Sequence, residues 1–320
     1  MRIVLTGGAG FIGSVFLWRL NQAGLEDVYV VDEFDQVKSK NLKGKKVKDC
    51  LEKDVFPERL FSGALGKIDF LVHLGACSST TEKDEAYLRE NNYLYSRRLA
   101  EWALKERVPF FYASSAATYG QGESGFSDED EITLKLKPLN PYGWSKHWFD
   151  LWLIQNGLSR QVTGFKFFNV FGPNEYHKGE MRSVVLKTFE RIKREGKAVL
   201  FKSYQPQYAH GEQKRDFVYV KDAVEVMWYF FTHPDRKGIF NVGTGKARSF
   251  NDLVKALFAA LGMEPEIEYI DMPENVRPQY QYFTEADLNK LRQAGCSHTF
   301  QELEQSVSDY VGYLKDHRYL

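Results

Sequence analysis

Through the first half of the chain, short runs of mostly apolar residues alternate with longer helical patterns. Arg2–Thr6, Val28–Asp32, Phe70–Leu74, Phe110–Ala113 and Thr163–Phe168 are the runs. Each is strand-length and rich in Val, Ile, Leu or Phe, which predicts a strand buried on both faces. Phe11–Gln22, Glu85–Glu106 and Pro141–Asn156 read as helices, the last with Pro near its start, where a missing amide proton costs little. Short apolar strands separated by helices predict an α/β fold, a doubly wound parallel sheet with right-handed crossovers.

After Asn169 the regularity breaks. Phe171-Gly172-Pro173-Asn174-Glu175 is rich in turn residues, Ser183–Glu195 is helical, and Phe201–Gln213 is polar, aromatic and expected to be irregular. Phe217–Val220 and Ile239–Gly243 look like strands returning to the sheet, and helices are expected near Asn251–Leu261, Glu285–Ala294 and Phe300–Lys315. The pattern implies two interleaved domains. Residues 1–169 with about 216–247 would bind a dinucleotide, and about 170–215 with 248–320 would form a smaller α/β substrate domain.

The turn after the first strand carries Gly7, Gly10 and Gly13. Glycine there permits a tight turn, close approach of backbone to a pyrophosphate, and tight packing of the next helix. The helix N-terminus then presents free amide protons to the phosphates. Asp32 ends the second strand, where a carboxylate accepts a hydrogen bond from an adenosine ribose 2′-hydroxyl, favouring NAD. Lys38, Lys40 and Lys53 follow, the cations a 2′-phosphate would need. On residues alone, NAD and NADP are both open.

The chemistry lies further on. Ser114 and Ser115 end the Phe110–Ala113 strand, where parallel sheets bind ligands. Tyr142 and Lys146, four apart on a helix, share a face. A neighbouring ammonium is expected to lower the tyrosine pKa and make a general base for an alcohol proton. Ser115, Tyr142 and Lys146 together with the glycine turn describe oxidation and reduction of a carbinol.

Composition narrows the picture mainly by exclusion. Lys plus Arg and Asp plus Glu number 43 each, so no bulk field attracts nucleic acid or an anionic membrane. The three cysteines, Cys50, Cys77 and Cys296, are no disulfide framework, which fits a reducing cytoplasm. The seven histidines lack metal-ligand spacing, so no metal is expected. No signal peptide or membrane span is expected either.

These motifs resemble the extended short-chain dehydrogenase/reductase family, whose fold is of Rossmann type, and within it the sugar-nucleotide epimerases. The resemblance rests on the glycine turn, the strand-end serines, Tyr142-x-x-x-Lys146, and four longer segments: Gly75–Glu82, Tyr112–Gly120, Phe168–Pro173 and His177-Lys178-Gly179. It implies inversion at C6 of an ADP-linked heptose, through a transient 6-ketone and a tightly held NADP, in lipopolysaccharide core synthesis. Tyr142 would handle the proton in one substrate orientation, assisted by Ser115 and Lys146, and Lys178 in the other. The resemblance places Phe11, Ile12, Glu33, Leu74, Gly75, Ala76, Cys77, Ser78, Asn91 and Val170 at the cofactor, along with Asp32, Lys38, Lys53, Tyr142, Lys146 and Lys178. It places Ser79, Ser115, Asn169, Glu180, Lys187, Phe201, Arg215 and Tyr280 at the substrate, and implies a cytoplasmic homo-oligomer.

Three positions depart from the family pattern. Glu180 stands where a small residue is usual; its carboxylate is expected to pair with Lys178 and raise its pKa. Leu74 replaces an acidic residue. The Ser203–Gln213 insertion brings Tyr204, Tyr208 and His210, which would cap the substrate or cover the surface. Ala116-Ala117 stands where a dehydratase keeps an Asp-Glu pair, which argues against elimination. A UDP-hexose 4-epimerase and a non-catalytic NADP-binding sensor are the alternatives.

Overall fold

Seven parallel strands form the central sheet, in the spatial order Gly238–Val242, Thr163–Phe167, Phe110–Ser115, Phe70–His73, Ile3–Thr6, Val28–Asp32, Asp49–Glu52. The structure is a computed structural model and describes the whole chain except Asn275, Pro278 and Gln279. The order reverses at Ile3–Thr6, whose neighbours are the second and fourth strands. Successive connections leave in opposite directions there, and a crevice opens beyond the strands' carboxyl ends. The glycine turn and the Gly75–Ser78 segment flank that crevice.

Alternation along each strand explains the layers. Ile3, Leu5, Val28, Val30, Phe70 and Val72 pack on one face against the Phe11–Gln22 and Val220–Thr232 helices. Val4, Tyr29, Val31 and Leu71 pack on the other against Tyr95–Lys105 and Pro141–Gln155. Both faces are covered, which is why the strands read as continuous apolar runs. Among the described residues no helix is long and apolar enough to cross a membrane.

Several expectations change. Ile239–Gly243 does return to the sheet, as the edge strand Gly238–Val242. Phe217–Val220 does not; Phe217–Tyr219 pairs with Asn169–Phe171 in a separate parallel ladder. The chain leaves the sheet after the Thr163–Phe167 strand, and from Asn169 on it pairs with Phe217–Tyr219 instead. The single helix expected over Glu85–Glu106 contains a π-helical turn at Arg89–Leu94. That turn carries the buried Asn92, whose side chain bonds the Cys77 amide and carbonyl, each at 2.9 Å. Near the C-terminus the helices shorten to Asn289–Gln293 and Leu303–Lys315. Phe201 ends an Ala198–Phe201 strand paired with Ile267–Ile270, and turns and bends follow it.

Candidate active site

The crevice is a cleft of about 710 Å3 lined by the glycine turn, the Gly75–Ser78 segment, the strand end at Ser115, the Tyr142 helix and the Lys178 loop. Gly7 has a φ of +70°, and a Cβ there would lie 2.5 Å from the Gly75 nitrogen. A Cβ on Gly13 would lie 2.0 Å from the Gly7 oxygen. Only glycine allows this turn and this packing of helix on strand. Gly10 precedes the helix with no side-chain cap, so the first-turn amides have no partner within the chain's own helix. This cradle fits a pyrophosphate.

A smaller pocket of about 120 Å3 adjoins the cleft, lined by Asp32, Glu33, Lys38, Lys53, Tyr87 and Asn91 among others. Asp32 is buried. Its carboxylate accepts the Ala9 amide at 2.9 Å and Lys38 Nζ at 2.8 Å. Lys53 bonds the Glu33 carboxylate and donates to Asn91 Oδ1 at 3.0 Å. Two lysines thus flank the place where an adenosine ribose would sit. Of the residues expected at the cofactor, all but Lys40 line one of these two pockets.

Ser115 ends its strand beside the helix that carries Tyr142 and Lys146. Asn140 caps that helix, its side chain accepting the Gly143 amide at 2.8 Å. The Ser115 hydroxyl bonds the Tyr142 phenol, which favours phenolate, but burial dominates and raises the Tyr142 pKa. The expected lowering by the lysine is therefore corrected. Lys146 Nζ points instead to the Ala113 carbonyl, at 3.0 Å. Burial pushes the Lys146 ammonium down to about 8, with Asp150 and Cys77 opposing.

Lys178 sits on a loop held by distant groups. Its ammonium lies 5.0 Å from the centre of the Phe11 ring, a cation–π contact at the start of the glycine helix. Burial lowers its pKa, Glu175 opposes, and Lys187 adds to the lowering. The carboxylate acting on Lys178 is thus Glu175 and not Glu180, which is exposed and offers its backbone carbonyl to Lys187 Nζ at 3.1 Å. Glu175 is fully buried. It accepts the Ser183 amide at 2.5 Å, the Ser183 hydroxyl at 2.6 Å and the Tyr310 hydroxyl at 3.0 Å. Asn174 accepts the Leu320 amide at 2.8 Å, and Tyr176 donates to the Arg318 carbonyl at 3.1 Å. The 316–320 segment therefore braces the loop from outside.

The residues expected at the substrate divide. Ser79, Ser115 and Asn169 line the cleft. Phe201, Arg215 and Tyr280 cluster beside it: the Arg215 guanidinium is 5.2 Å from the Tyr280 ring and 5.6 Å from Phe250, which lines the cleft. The Phe201 and Tyr280 rings meet edge-on at 6.4 Å. Glu180 and Lys187 are not in the lining. Tyr204 bonds Asp271 at 2.9 Å, Tyr208 packs on Tyr282, and His210 packs on Tyr269; none of the three lines the cleft. Sequence reasoning missed Met181, Arg182, Phe250, Leu253, Gln281 and Thr284, all in the lining. Met181 and Arg182 directly follow the His177-Lys178-Gly179 segment, a signal that could have found them. The others belong to no local motif.

Comparison with known proteins agrees with this geometry. The model of the NAD dependent epimerase/dehydratase family matches residues 3–243. The chain is 54% identical over 310 residues, 96% of each chain, to the ADP-L-glycero-D-manno-heptose-6-epimerase of Nitratidesulfovibrio vulgaris (strain DP4). The crystal structure of the Helicobacter pylori enzyme of the same name matches with a TM-score of 0.81 at 27% identity, covering 98% of this chain and 96% of that one. A UDP-glucose 4-epimerase of Thermus thermophilus, in complex with NAD, matches with a TM-score of 0.78 at 26% identity over 98% and 99%. The chain belongs to the NAD dependent epimerase/dehydratase family, in the group of these heptose epimerases.

Proposed function

We propose that this protein interconverts ADP-D-glycero- and ADP-L-glycero-β-D-manno-heptose by inverting C6 through a 6-ketone, with NADP held throughout. The observation that carries the reading is a single cleft that joins a dinucleotide cradle to two separately mounted proton-handling groups, Tyr142 and Lys178. A dinucleotide held by the Gly7–Gly13 turn, Asp32, Lys38 and Lys53 would supply a reversible hydride acceptor for C6. The chain's own residues do the rest. In one orientation of C6 Tyr142 takes the alcohol proton on oxidation, or returns it when the reaction runs in reverse, and Ser115 holds the reacting oxygen by a hydrogen bond. Lys146, one helical turn on, keeps its ammonium on the Ala113 carbonyl, with its proton affinity lowered by burial.

Lys178 serves the other orientation. Rotation about C5–C6 carries the carbonyl oxygen away from Tyr142, and proton transfer needs a partner within hydrogen-bond reach. Burial already lowers the Lys178 pKa, as base work at neutral pH requires. A 4-epimerase of hexoses gives Lys178 no such task. NADP is favoured over NAD because the Asp32 carboxylate is already engaged by Ala9 and Lys38, while Lys38 and Lys53 offer two cations to a 2′-phosphate. The setting proposed with this activity is lipopolysaccharide precursor synthesis by a cytoplasmic homo-oligomer. The test is to follow C6 configuration by NMR on the purified protein with ADP-D-glycero-β-D-manno-heptose, and to identify the cofactor released on denaturation by mass spectrometry. Inversion with NADP released is the expected result. No inversion overturns the substrate, and release of NAD alone overturns the cofactor.

A further inference from the structure

Beneath the strand end lies an ion pair with neither partner exposed: Lys166 Nζ donates to Asp150 Oδ2 at 2.6 Å. Asp150 comes four residues after Lys146 and eight after Tyr142 in one helix, so the three share a face. Lys166 lies on the next strand of the sheet, in register with Ser114. The remaining bonds reach both halves of the site. Asp150 accepts the Tyr112 hydroxyl at 2.8 Å and the Ser114 hydroxyl at 2.7 Å. Lys166 also donates to Thr118 Oγ1 at 3.0 Å, and the Thr118 hydroxyl donates to the Ser115 carbonyl at 2.8 Å. The Tyr119 ring covers the ammonium at 5.3 Å.

Net stability does not account for such a pair. Taking two charges out of water costs about as much as their attraction returns, and an uncharged, well-packed replacement does as well or better. What the pair adds is direction. Each of its bonds runs to the strand end before Ser115, to the turn after it, or to the helix bearing Tyr142 and Lys146.

We propose that the Asp150–Lys166 pair is the positioning element of the active site: it locks the Ser115 strand end against the Tyr142–Lys146 helix, so that the serine and phenol oxygens keep one spacing. This rests on the roles given above to Ser115 and Tyr142. Charge supports the geometry. Asp150 and Cys77 face Lys146 and favour its protonated form against burial. His73, on the neighbouring strand, is held neutral by burial, with a pKa near 3. Removing the Asp150 charge therefore lowers the Lys146 pKa.

The test is the paired change Asp150→Asn with Lys166→Met, which leaves no unpaired charge and offers a carbonyl acceptor to one of the Tyr112 and Ser114 hydroxyls and an amide donor to the other. The thermal midpoint is expected to stay near that of the parent. The turnover number for C6 inversion should fall roughly tenfold to a hundredfold, because small misplacements of reacting groups cost that much, while KM stays nearly constant. The Lys146 Cε resonance, assigned by its loss in Lys146→Met, should titrate at lower pH. Lys166→Arg, which keeps the charge and the bonds, should keep most of the rate. Should the paired variant not fold, Thr118→Val removes only the link from Lys166 to the Ser115 carbonyl and should lower turnover in the same way. Parental turnover with an unchanged Lys146 titration in the folded paired variant, or parental turnover in Thr118→Val, overturns the proposal. A parent protein that inverts no ADP-heptose refutes the function alone. The Lys146 titration and hydrogen exchange at Ser114 and Ser115, which need no substrate, then decide the positioning role.

Discussion

The two lysines of the cleft are mounted in different ways. Lys146 stands on a long helix, beside a sheet strand, over a fully buried ion pair. Its surroundings come from neighbouring turns of one helix and two adjacent strands. Lys178 stands on a short 3-10 segment, Tyr176–Met181, broken at Gly179, which is held by Glu175, by Tyr310 of the Leu303–Lys315 helix and by the 316–320 segment. Regular structure gives Lys146 a fixed address. Long-range contacts give Lys178 its place, and burial lowers its pKa. The mechanism proposed above has use for both arrangements, the helix as a rigid reference and the braced segment as a second station.

The sharpest way to separate the two is to remove each group. Tyr142→Phe deletes the proton acceptor proposed for the rigid half and should lower C6 inversion by roughly 10²–10⁴-fold. Cofactor should still co-purify, which absorbance of the folded protein after reduction would check. Lys178→Met should lower inversion by about 10²-fold, the lower end of acid–base contributions, again with cofactor retained. Full activity in either variant removes that residue from the mechanism.

Milder changes probe the mounts. Glu175→Gln keeps the shape but removes the charge that holds the Lys178 proton. The Lys178 pKa should fall, moving the limb of the pH–rate profile that depends on Lys178 to lower pH. Tyr142-dependent steps should be little changed. The substitution also weakens the bonds from Ser183 and Tyr310, and a loss of about 1–3 kcal/mol in stability is expected from an imperfectly paired buried group, read by denaturant melts.

The smallest effect concerns stability against acid. Burial pushes His73 down to about 3 and His147 down to about 4. His73 is enclosed by Thr6 at 2.6 Å and Ser96 at 2.8 Å. The unfolded chain binds protons at these positions near pH 6.5, and the folded chain does not until much lower pH. Stability is therefore lost as pH falls from about 6.5 toward 4, at up to about 1.4 kcal/mol per pH unit per histidine. Asp128, raised to about 6 by burial, works the other way over part of that range. The melting temperature should drop between pH 7 and pH 5, and His73→Asn should flatten that drop. An equal slope in the variant would contradict the assignment.

The rigid half was legible in the sequence because its signals are local. Gly7, Gly10, Gly13 and Asp32 follow strand ends, and Tyr142 and Lys146 sit one helical turn apart. The central sheet was legible for the same reason, since each strand is a short apolar run. The braced half was not. Nothing near Lys178 announces that Tyr310 and Leu320, more than a hundred residues away, hold its loop. Glu180 drew attention by adjacency, whereas Glu175 does the work by burial. The electrostatics of the rigid half were misjudged too: spacing placed Lys146 on the Tyr142 face but could not show that its ammonium turns to the Ala113 carbonyl. The π-helical turn at Arg89–Leu94 was hidden too, and the bonds its Asn92 makes to Cys77 are tertiary contacts.

The most direct test uses ADP-D-glycero-β-D-manno-heptose carrying deuterium at C6, given to the purified protein with no added cofactor and followed by NMR. Hydride removal and return on a bound dinucleotide require the L-glycero product to appear with deuterium kept at C6. Inversion with loss of the label to water would contradict that chemistry, and absence of inversion would contradict the substrate.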